Sequence, residues 1–269
     1  MTDLSGKKFI VGGCSGAVGQ EVCRLLIEKG ALVHGYDITY PRENDLGGFR
    51  GVDQDIKINV GDLGSFVRID GGAEPELLDF FSQVMDNGGA VDGLVCCQGT
   101  TGEVTDIEKI DLDLFEACLV NNVSSVALAV KHLAPMMKRQ NFGSIVLTGS
   151  TASIKGVALM PAYSAAKHAI VGLTRSFARE LGRWNIRVNA VLPGALESPM
   201  QASIIERLER RNDSNFVFGG FGDLNVSQIP LNRLGKSSEV AESVLFFLSE
   251  RSSYCTGALL SCDGGMSVK

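Results

Sequence analysis

Short apolar, β-branched runs alternate along most of the chain with segments whose apolar residues recur at helical spacing, and each pattern predicts its own element. Strands are predicted at 8–11, 32–36, 65–69, 93–96, 144–148, 187–191 and 258–261. Amphipathic spacing predicts helices at 18–29, 76–87, 112–140, 163–184, 200–211 and 239–249. Continuous apolar strands joined by helical crossovers must be covered on both faces. The fold class expected is therefore α/β, a doubly wound parallel sheet of seven strands with helices on both faces.

Two stretches interrupt this rhythm. Residues 38–64, rich in Gly, Asn, Asp and Arg, separate the second and third strands by more than an ordinary connection and read as an inserted surface excursion. Residues 197–233 carry a charged amphipathic piece with Arg207, Arg210 and Arg211, then Phe216, Phe218 and Phe221. A long loop at the carboxyl end of such a sheet reads as a substrate lid.

Composition narrows the class of partner. A chain of 269 residues, 45% hydrophobic and 21% charged, suits one large domain spanning 1–269. A net charge of -6 argues against nucleic acid, which calls for a concentrated basic surface, and favours small molecules. The polar stretch 1–8 runs directly into Phe9, Ile10 and Val11, leaving no room for a secretory leader. No apolar run approaches the roughly 20 residues of a membrane span, so a cytoplasmic protein with no membrane partner is expected. The seven cysteines are scattered, only Cys96 and Cys97 being adjacent, and have neither a disulfide nor a zinc pattern. That vicinal pair reads as buried strand-end residues rather than a redox switch. His34, His132 and His168 form no cluster, and no metal site is expected.

Candidate chemistry begins where the first strand ends, at Gly12-Gly13-Cys14-Ser15-Gly16-Ala17-Val18-Gly19. Glycines there let the chain turn sharply and bring backbone N–H groups of Gly13, Ser15, Gly16, Ala17, Val18 and Gly19 toward a pyrophosphate at a helix N-terminus. This is the Rossmann-like arrangement for a dinucleotide. Asp37 closes the second strand 24 residues after Gly13. A carboxylate there accepts hydrogen bonds from ribose hydroxyls and repels a 2′-phosphate, so NAD is expected over NADP.

Tyr163 and Lys167 stand four residues apart in a helical segment, on one face about a turn from each other. A nearby cation is expected to lower the phenol pKa from about 10 and make Tyr163 a general acid/base. Ser150 lies just past the strand at 144–148, at the edge where ligands bind, and its hydroxyl can hydrogen-bond a reacting oxygen.

With these residues in place the chain resembles the classical short-chain dehydrogenase/reductase family over essentially its whole length. The family's Tyr-x-x-x-Lys is matched by Tyr163 and Lys167, and its serine, 13 residues upstream, by Ser150. Its catalytic Asn has two candidates, Asn121 and Asn122, of which spacing favours Asn122. The Pro-Gly motif is Pro193-Gly194, and the resemblance implies that Leu196 and Ser198 hold the nicotinamide carboxamide. The tail Asp263-Gly264-Gly265 also fits. The adenine-capping position falls on Asp62 or Asp70, and counting back from the fourth strand favours Asp70-Gly71.

Two motifs depart from the family pattern. Gly12 stands for the usual Thr of the glycine turn and Ala17 for its middle Gly, with Gly16 one place early. Cys96-Cys97-Gln98-Gly99 replaces Asn-Asn-Ala-Gly, so Cys97 should lose part of the second Asn's packing and ribose contact, and Gln98 is expected to face substrate.

By resemblance, Tyr163 exchanges the proton of an alcohol while hydride passes to NAD, Ser150 steadies the charge, and Lys167 binds the nicotinamide ribose. Asn122 holds a relay water through its backbone. The expected activity interconverts a secondary alcohol and its ketone, the substrate being cyclic or apolar from Met160 and the lid phenylalanines. A 3-oxoacyl thioester reductase using NADPH, with Arg207, Arg210 and Arg211 as a docking face, is the alternative, and a non-catalytic nucleotide sensor a third reading. The resemblance also implies a homotetramer paired through the helices at 112–140 and 163–184.

Overall fold

In the computed structural model, which describes residues 4–39, 58–59, 64–86, 89–210 and 226–268, the strands form one sheet in the order β3-β4-β2-β1-β5-β6-β7-β8. The seven predicted strands are β1 (Lys8–Gly12), β2 (Leu32–Asp37), β4 (Gly64–Arg68), β5 (Gly93–Cys96), β6 (Gly143–Thr148), β7 (Ile186–Pro193) and β8 (Leu259–Cys262). All seven run parallel. One short strand was not predicted: β3 (Ile58–Asn59) pairs antiparallel with β4 at the sheet edge. Two residues carry no periodicity to detect. The rest of the expected 38–64 excursion lies largely outside the described residues.

Alternate residues of each strand serve opposite cores. Ile10, Leu94, Cys96, Ile145 and Leu147 face α2 (Glu74–Asp86), α4 (Ser125–Gln140) and α5 (Pro161–Leu181). Phe9, Val11, Val95 and Val146 face α1 (Ala17–Glu28) and α7 (Ser237–Leu248). Both sets are almost fully buried. This is why the strands read as unbroken apolar runs instead of alternating ones. The sheet reverses direction of winding between β1 and β5, which opens a crevice at their carboxyl ends.

Helix boundaries follow local chemistry. Pro161 occupies the first turn of α5, and Pro199 that of α6 (Pro199–Glu209), where a missing N–H costs nothing. Asp111 caps α3 (Leu112–Leu119) by accepting from the N–H groups of Asp113 and Leu114. Asn141 closes α4 in the left-handed region, at φ 58°.

The predicted helix 112–140 is divided. Between α3 and α4, Val120–Ser124 form a π turn, with the Ser125 N–H donating to Val120 O. Inside it the Asn122 amide donates to Cys118 O at 2.8 Å and to Thr100 O at 2.9 Å, and the Ser125 hydroxyl donates to Asn121 O. These side chains compete for helix carbonyls and shift the register by one residue.

The run Leu112–Gln140 is also long and apolar enough to cross a membrane by length and composition, which corrects the expectation that no segment reaches that length. Lys131 and His132 break its apolar pattern in sequence. In the fold its Val126, Ala129, Val130, Leu133 and Met137 pack on the sheet as a core helix. The stretch 126–130, weighed as a subunit contact, thus mainly faces the core.

Candidate active site

The glycine turn folds tightly against the next strand's exit. Gly13 has φ +73°, and its N–H donates to Tyr36 O at 2.8 Å. A Cβ on Gly13 would fall 2.3 Å from Gln98 N, and one on Gly19 would fall 2.0 Å from Gly13 O. Gly16 has room, its closest neighbour being Gly13 O at 3.5 Å. The departures at Gly16 and Ala17 therefore leave the two demanding positions, Gly13 and Gly19, intact. Helix α1 starts without a side-chain cap, so its first N–H groups remain directed at the crevice.

Asp37 ends β2 with its carboxylate turned back on this turn. Oδ2 accepts from the Ser15 N–H at 2.9 Å and Oδ1 from the Ile38 N–H at 2.7 Å. Burial pushes its carboxyl pKa up, and the hydrogen bonds from Ser15, Ile38 and Thr39 oppose that shift. Asp70 follows β4, accepts from the Gly72 N–H at 2.8 Å, and lines the same cleft as Gly71. The other candidate, Asp62, lies outside the described residues. An uncapped helix end, a cradle that any Cβ would fill, and a carboxylate beyond β2 fit a dinucleotide.

At the other end, Ser150 follows β6 and starts a short 3₁₀ turn, Thr151–Ser153, its hydroxyl accepting from the Ala152 N–H at 3.1 Å. Tyr163 and Lys167 project from the first turns of α5, and both are buried. Lys167 Nζ donates to Thr148 O at 3.1 Å and stands 5.6 Å from the centre of the Tyr163 ring.

Burial holds the Lys167 ammonium down at about 8. The Tyr163 phenol is shifted up, by burial first, while a hydrogen bond with Ser150 pulls it down. This corrects the expectation from spacing that Lys167 would lower the phenol: in the protein alone desolvation sets the direction, and Ser150, not Lys167, is the group that opposes it. Asn122 is fully buried behind the cleft, and its Oδ1 lies 2.4 Å from where a Cβ on Gly99 would stand. Only glycine lets this loop pass over it.

The remaining motifs close the cleft. Gly194, next to the end of β7, donates its N–H to Cys262 O, and a Cβ there would meet Asp263 at 2.7 Å, which explains how Pro193-Gly194 and the tail glycines fit together. Leu196 bridges to Gly235 and Ser198 caps α6 by accepting from the Gln201 N–H. Met160, Ala152, Tyr163, Ile204 and Leu208 make one apolar cluster. Arg207 donates to Gly102 O at 2.8 Å and Thr101 Oγ1 at 2.6 Å, and Arg210 pairs with Glu206. Phe216, Phe218, Phe221 and Arg211 lie outside the described residues.

One cleft of about 640 Å³ joins these ends, and it is lined by every expected cofactor-contacting residue together with Ser150; Asn122 sits behind it. Cys96 is buried and Cys97 meets the Thr148 hydroxyl at 3.5 Å. Burial pushes both thiols up, Cys97 to about 11, so neither is an activated nucleophile. Among the described residues no cluster of His, Cys, Asp and Glu is arranged for a metal. Gln98, expected at the substrate, donates to the Tyr36 hydroxyl at 3.3 Å. Sequence reading also missed Thr148 as the anchor of Lys167, because a backbone carbonyl leaves no mark in a side-chain pattern, and missed Gln201 and Ile204 on the cleft wall.

A doubly wound sheet with this cleft at its carboxyl edge defines a dinucleotide-dependent oxidoreductase. Comparison with known proteins carries the assignment further: a family model described as enoyl-(acyl carrier protein) reductase matches residues 13–267. The chain belongs to the classical short-chain dehydrogenase/reductase family and is a short-chain alcohol dehydrogenase/reductase. The 2,5-dichloro-2,5-cyclohexadiene-1,4-diol dehydrogenase of Sphingobium indicum is 32% identical over 269 residues, covering 100% of each chain. The 3-oxoacyl-(acyl-carrier-protein) reductase of Thermotoga maritima is 30% identical, over 98% of this chain and 99% of its own. The crystal structure of NAD⁺-bound xylitol dehydrogenase matches with a TM-score of 0.85 at 26% identity, over 97% of this chain and 99% of that one.

Proposed function

We propose that the protein interconverts a cyclic or otherwise apolar secondary alcohol and its ketone, using NAD(H) in preference to NADP(H). The observation that carries this reading is the meeting of Ser150, Tyr163 and Lys167 in a cleft whose wall includes the apolar Leu196, Met200 and Ile204, with Met160 and Leu208 packed behind in the same apolar cluster as Tyr163 and Ile204. The dinucleotide supplies the hydride acceptor and, when oxidised, a positive charge.

In oxidation Tyr163, as tyrosinate, takes the proton of the alcohol O–H while the carbon's hydride leaves, and the oxygen becomes a carbonyl. Ser150 donates to that oxygen as its charge develops. Lys167, held on the Thr148 carbonyl, keeps its ammonium beside the phenol and binds the nicotinamide ribose. Asn122 anchors the loop at Thr100 through its amide. Pro193, Gly194, Leu196 and Ser198 bind the nicotinamide end, and Asp70 and Gly71 the adenine end.

Preference for NAD rests on Asp37, whose carboxylate repels a 2′-phosphate. The cyclohexadienediol dehydrogenase relative supports a ring-shaped substrate. A thioester reductase would draw on a basic docking face, yet Arg207 is engaged with Thr101 and Gly102, and Arg210 with Glu206. The test is to supply NAD⁺ or NADP⁺ with a panel of cyclic diols, sugars and 3-hydroxyacyl thioesters and to follow reduced nicotinamide by absorbance. Turnover of cyclic secondary alcohols with NAD⁺ is expected. Activity confined to acyl thioesters with NADP(H) would overturn the reading.

A further inference from the structure

Among the described residues, two hydrogen bonds tie α6 to another element, and both come from Arg207. Nη1 donates to Gly102 O at 2.8 Å and Nη2 to Thr101 Oγ1 at 2.6 Å, across 105 and 106 residues of sequence. The third nitrogen, Nε, donates to Ser203 O at 3.2 Å within its own helix, which fixes the direction of the fork.

The loop that receives the fork, between β5 and α3, is also held by the π turn and α3. Asn122 Nδ2 donates to Thr100 O at 2.9 Å. Gly102 has φ +63°, and a Cβ there would lie 3.0 Å from Cys118 Sγ. Thr101 itself is buried. The loop thus offers Arg207 two acceptors whose places are already set.

Both joined elements are walls of the cleft. Helix α6 contributes Met200, Gln201 and Ile204, and the loop contributes Gly99 and Thr100. Ile204 and Leu208 also pack with Tyr163 and Met160. Apolar contact of this kind gives adhesion without direction. A planar guanidinium meeting two fixed acceptors gives a register.

A second cavity, of about 400 Å³, is lined by Thr100, Gly102, Cys118, Asn121 and Arg207, among others, and it shares Thr100 and Asn121 with the cleft. The loop therefore has open space beside it, and Arg207 is the polar group that holds it to α6. We propose that Arg207 is a positioning residue that limits the size of the substrate: by fastening Thr101 and Gly102 to α6, it fixes the separation of two walls of the cleft that holds Ser150 and Tyr163. This rests on the reading of the substrate as a cyclic secondary alcohol.

Steady-state oxidation of cyclohexanol and of the bulkier menthol with NAD⁺ tests it, on wild type, Arg207→Met, Thr101→Val and the double variant. Arg207→Met keeps the apolar stem and removes the fork. It should raise kcat/KM for menthol relative to that for cyclohexanol about fivefold or more. For cyclohexanol the loss should fall on KM, with kcat within about twofold of wild type, as expected of a wall that binds ground state and transition state alike. Thr101→Val removes one acceptor from the other end of the bridge. It should shift the ratio in the same direction and add nothing in the Arg207→Met background.

An unchanged menthol-to-cyclohexanol ratio in Arg207→Met or, should that variant not fold, in Thr101→Val would overturn the clamp and leave the substrate reading standing. A Thr101→Val shift that persists at full size in the double variant would do the same. Wild type that oxidises neither alcohol would overturn both.

Discussion

Lys167 Nζ lies 5.6 Å from the centre of the Tyr163 ring and is bonded to the Thr148 carbonyl, so the lysine stands beside the phenol with its position set by the end of β6. Substituting Tyr163 by Phe removes the only phenol of the trio without opening a cavity. Turnover should fall by about a thousandfold or more, the usual size of a general acid/base contribution. NAD⁺ binding by calorimetry should stay within twofold. Unchanged turnover would remove Tyr163 from the chemistry.

Ser150 pulls the Tyr163 phenol downward against burial. Alcohol oxidation calls for tyrosinate, so its kcat/KM should rise with pH on the alkaline side. Ser150→Ala removes the opposing hydrogen bond, and the rising limb should move to higher pH as well as losing height. Superimposable pH profiles for the two proteins would refute that role.

Burial lowers Lys167 from 10.5 to about 8. Below pH 8 the lysine is protonated in folded and unfolded chains alike, and burying the charge costs on the order of 3 kcal/mol. Between pH 8 and 10.5 the unfolded chain binds more protons, so this cost fades and the lysine's contribution to stability rises with pH. Lys167→Met should be more stable relative to wild type at pH 7 than at pH 10, by urea denaturation. A difference independent of pH would contradict the shift.

Asp37 faces the turn that would hold the adenosine phosphate. Asp37→Ser should lower the preference for NAD⁺ over NADP⁺ by about tenfold or more, read as the ratio of the two Kd values. An unaltered ratio would move cofactor discrimination elsewhere.

Two glycines of one turn should behave differently. Gly19→Ala drives a methyl to within 2.0 Å of Gly13 O and should cost about 1–3 kcal/mol in thermal denaturation, with weaker NAD⁺ binding. Gly16→Ala meets only ordinary contact and should change stability by about 0.5 kcal/mol or less.

What could be read from the sequence were features carried by consecutive residues. Runs such as Phe9-Ile10-Val11 announce strands buried on both faces, and the Ser150, Tyr163 and Lys167 spacing led to one cleft. Features made by contacts across the chain were silent. The π turn depends on the Asn122 amide reaching Thr100 and Cys118, which a helical period cannot reveal. Gln98 lines the cleft and also pairs with Tyr36, 62 residues away, a contact that no local pattern announces. The phenol's shift was misjudged because an i, i+4 spacing reports a neighbour's charge but not the loss of water around both groups.

The bridge between Leu196 and Gly235 joins the two ends of the stretch that the sequence marks as a substrate lid, 197–233. With those two residues bridged, the chain between them is closed at its ends, and the entropic cost of such a closure grows only slowly with length, about 0.6 kcal/mol per doubling. Since Ser198 and Ile204 line the cleft, Ile204 and Leu208 pack with Tyr163, and Arg207 holds Thr101 and Gly102, only residues inserted or exchanged outside 198–208 would leave Ser150, Tyr163 and Lys167 undisturbed. New substrate preferences can therefore arise in this chain by rewriting a tethered segment, with no renegotiation of the catalytic apparatus.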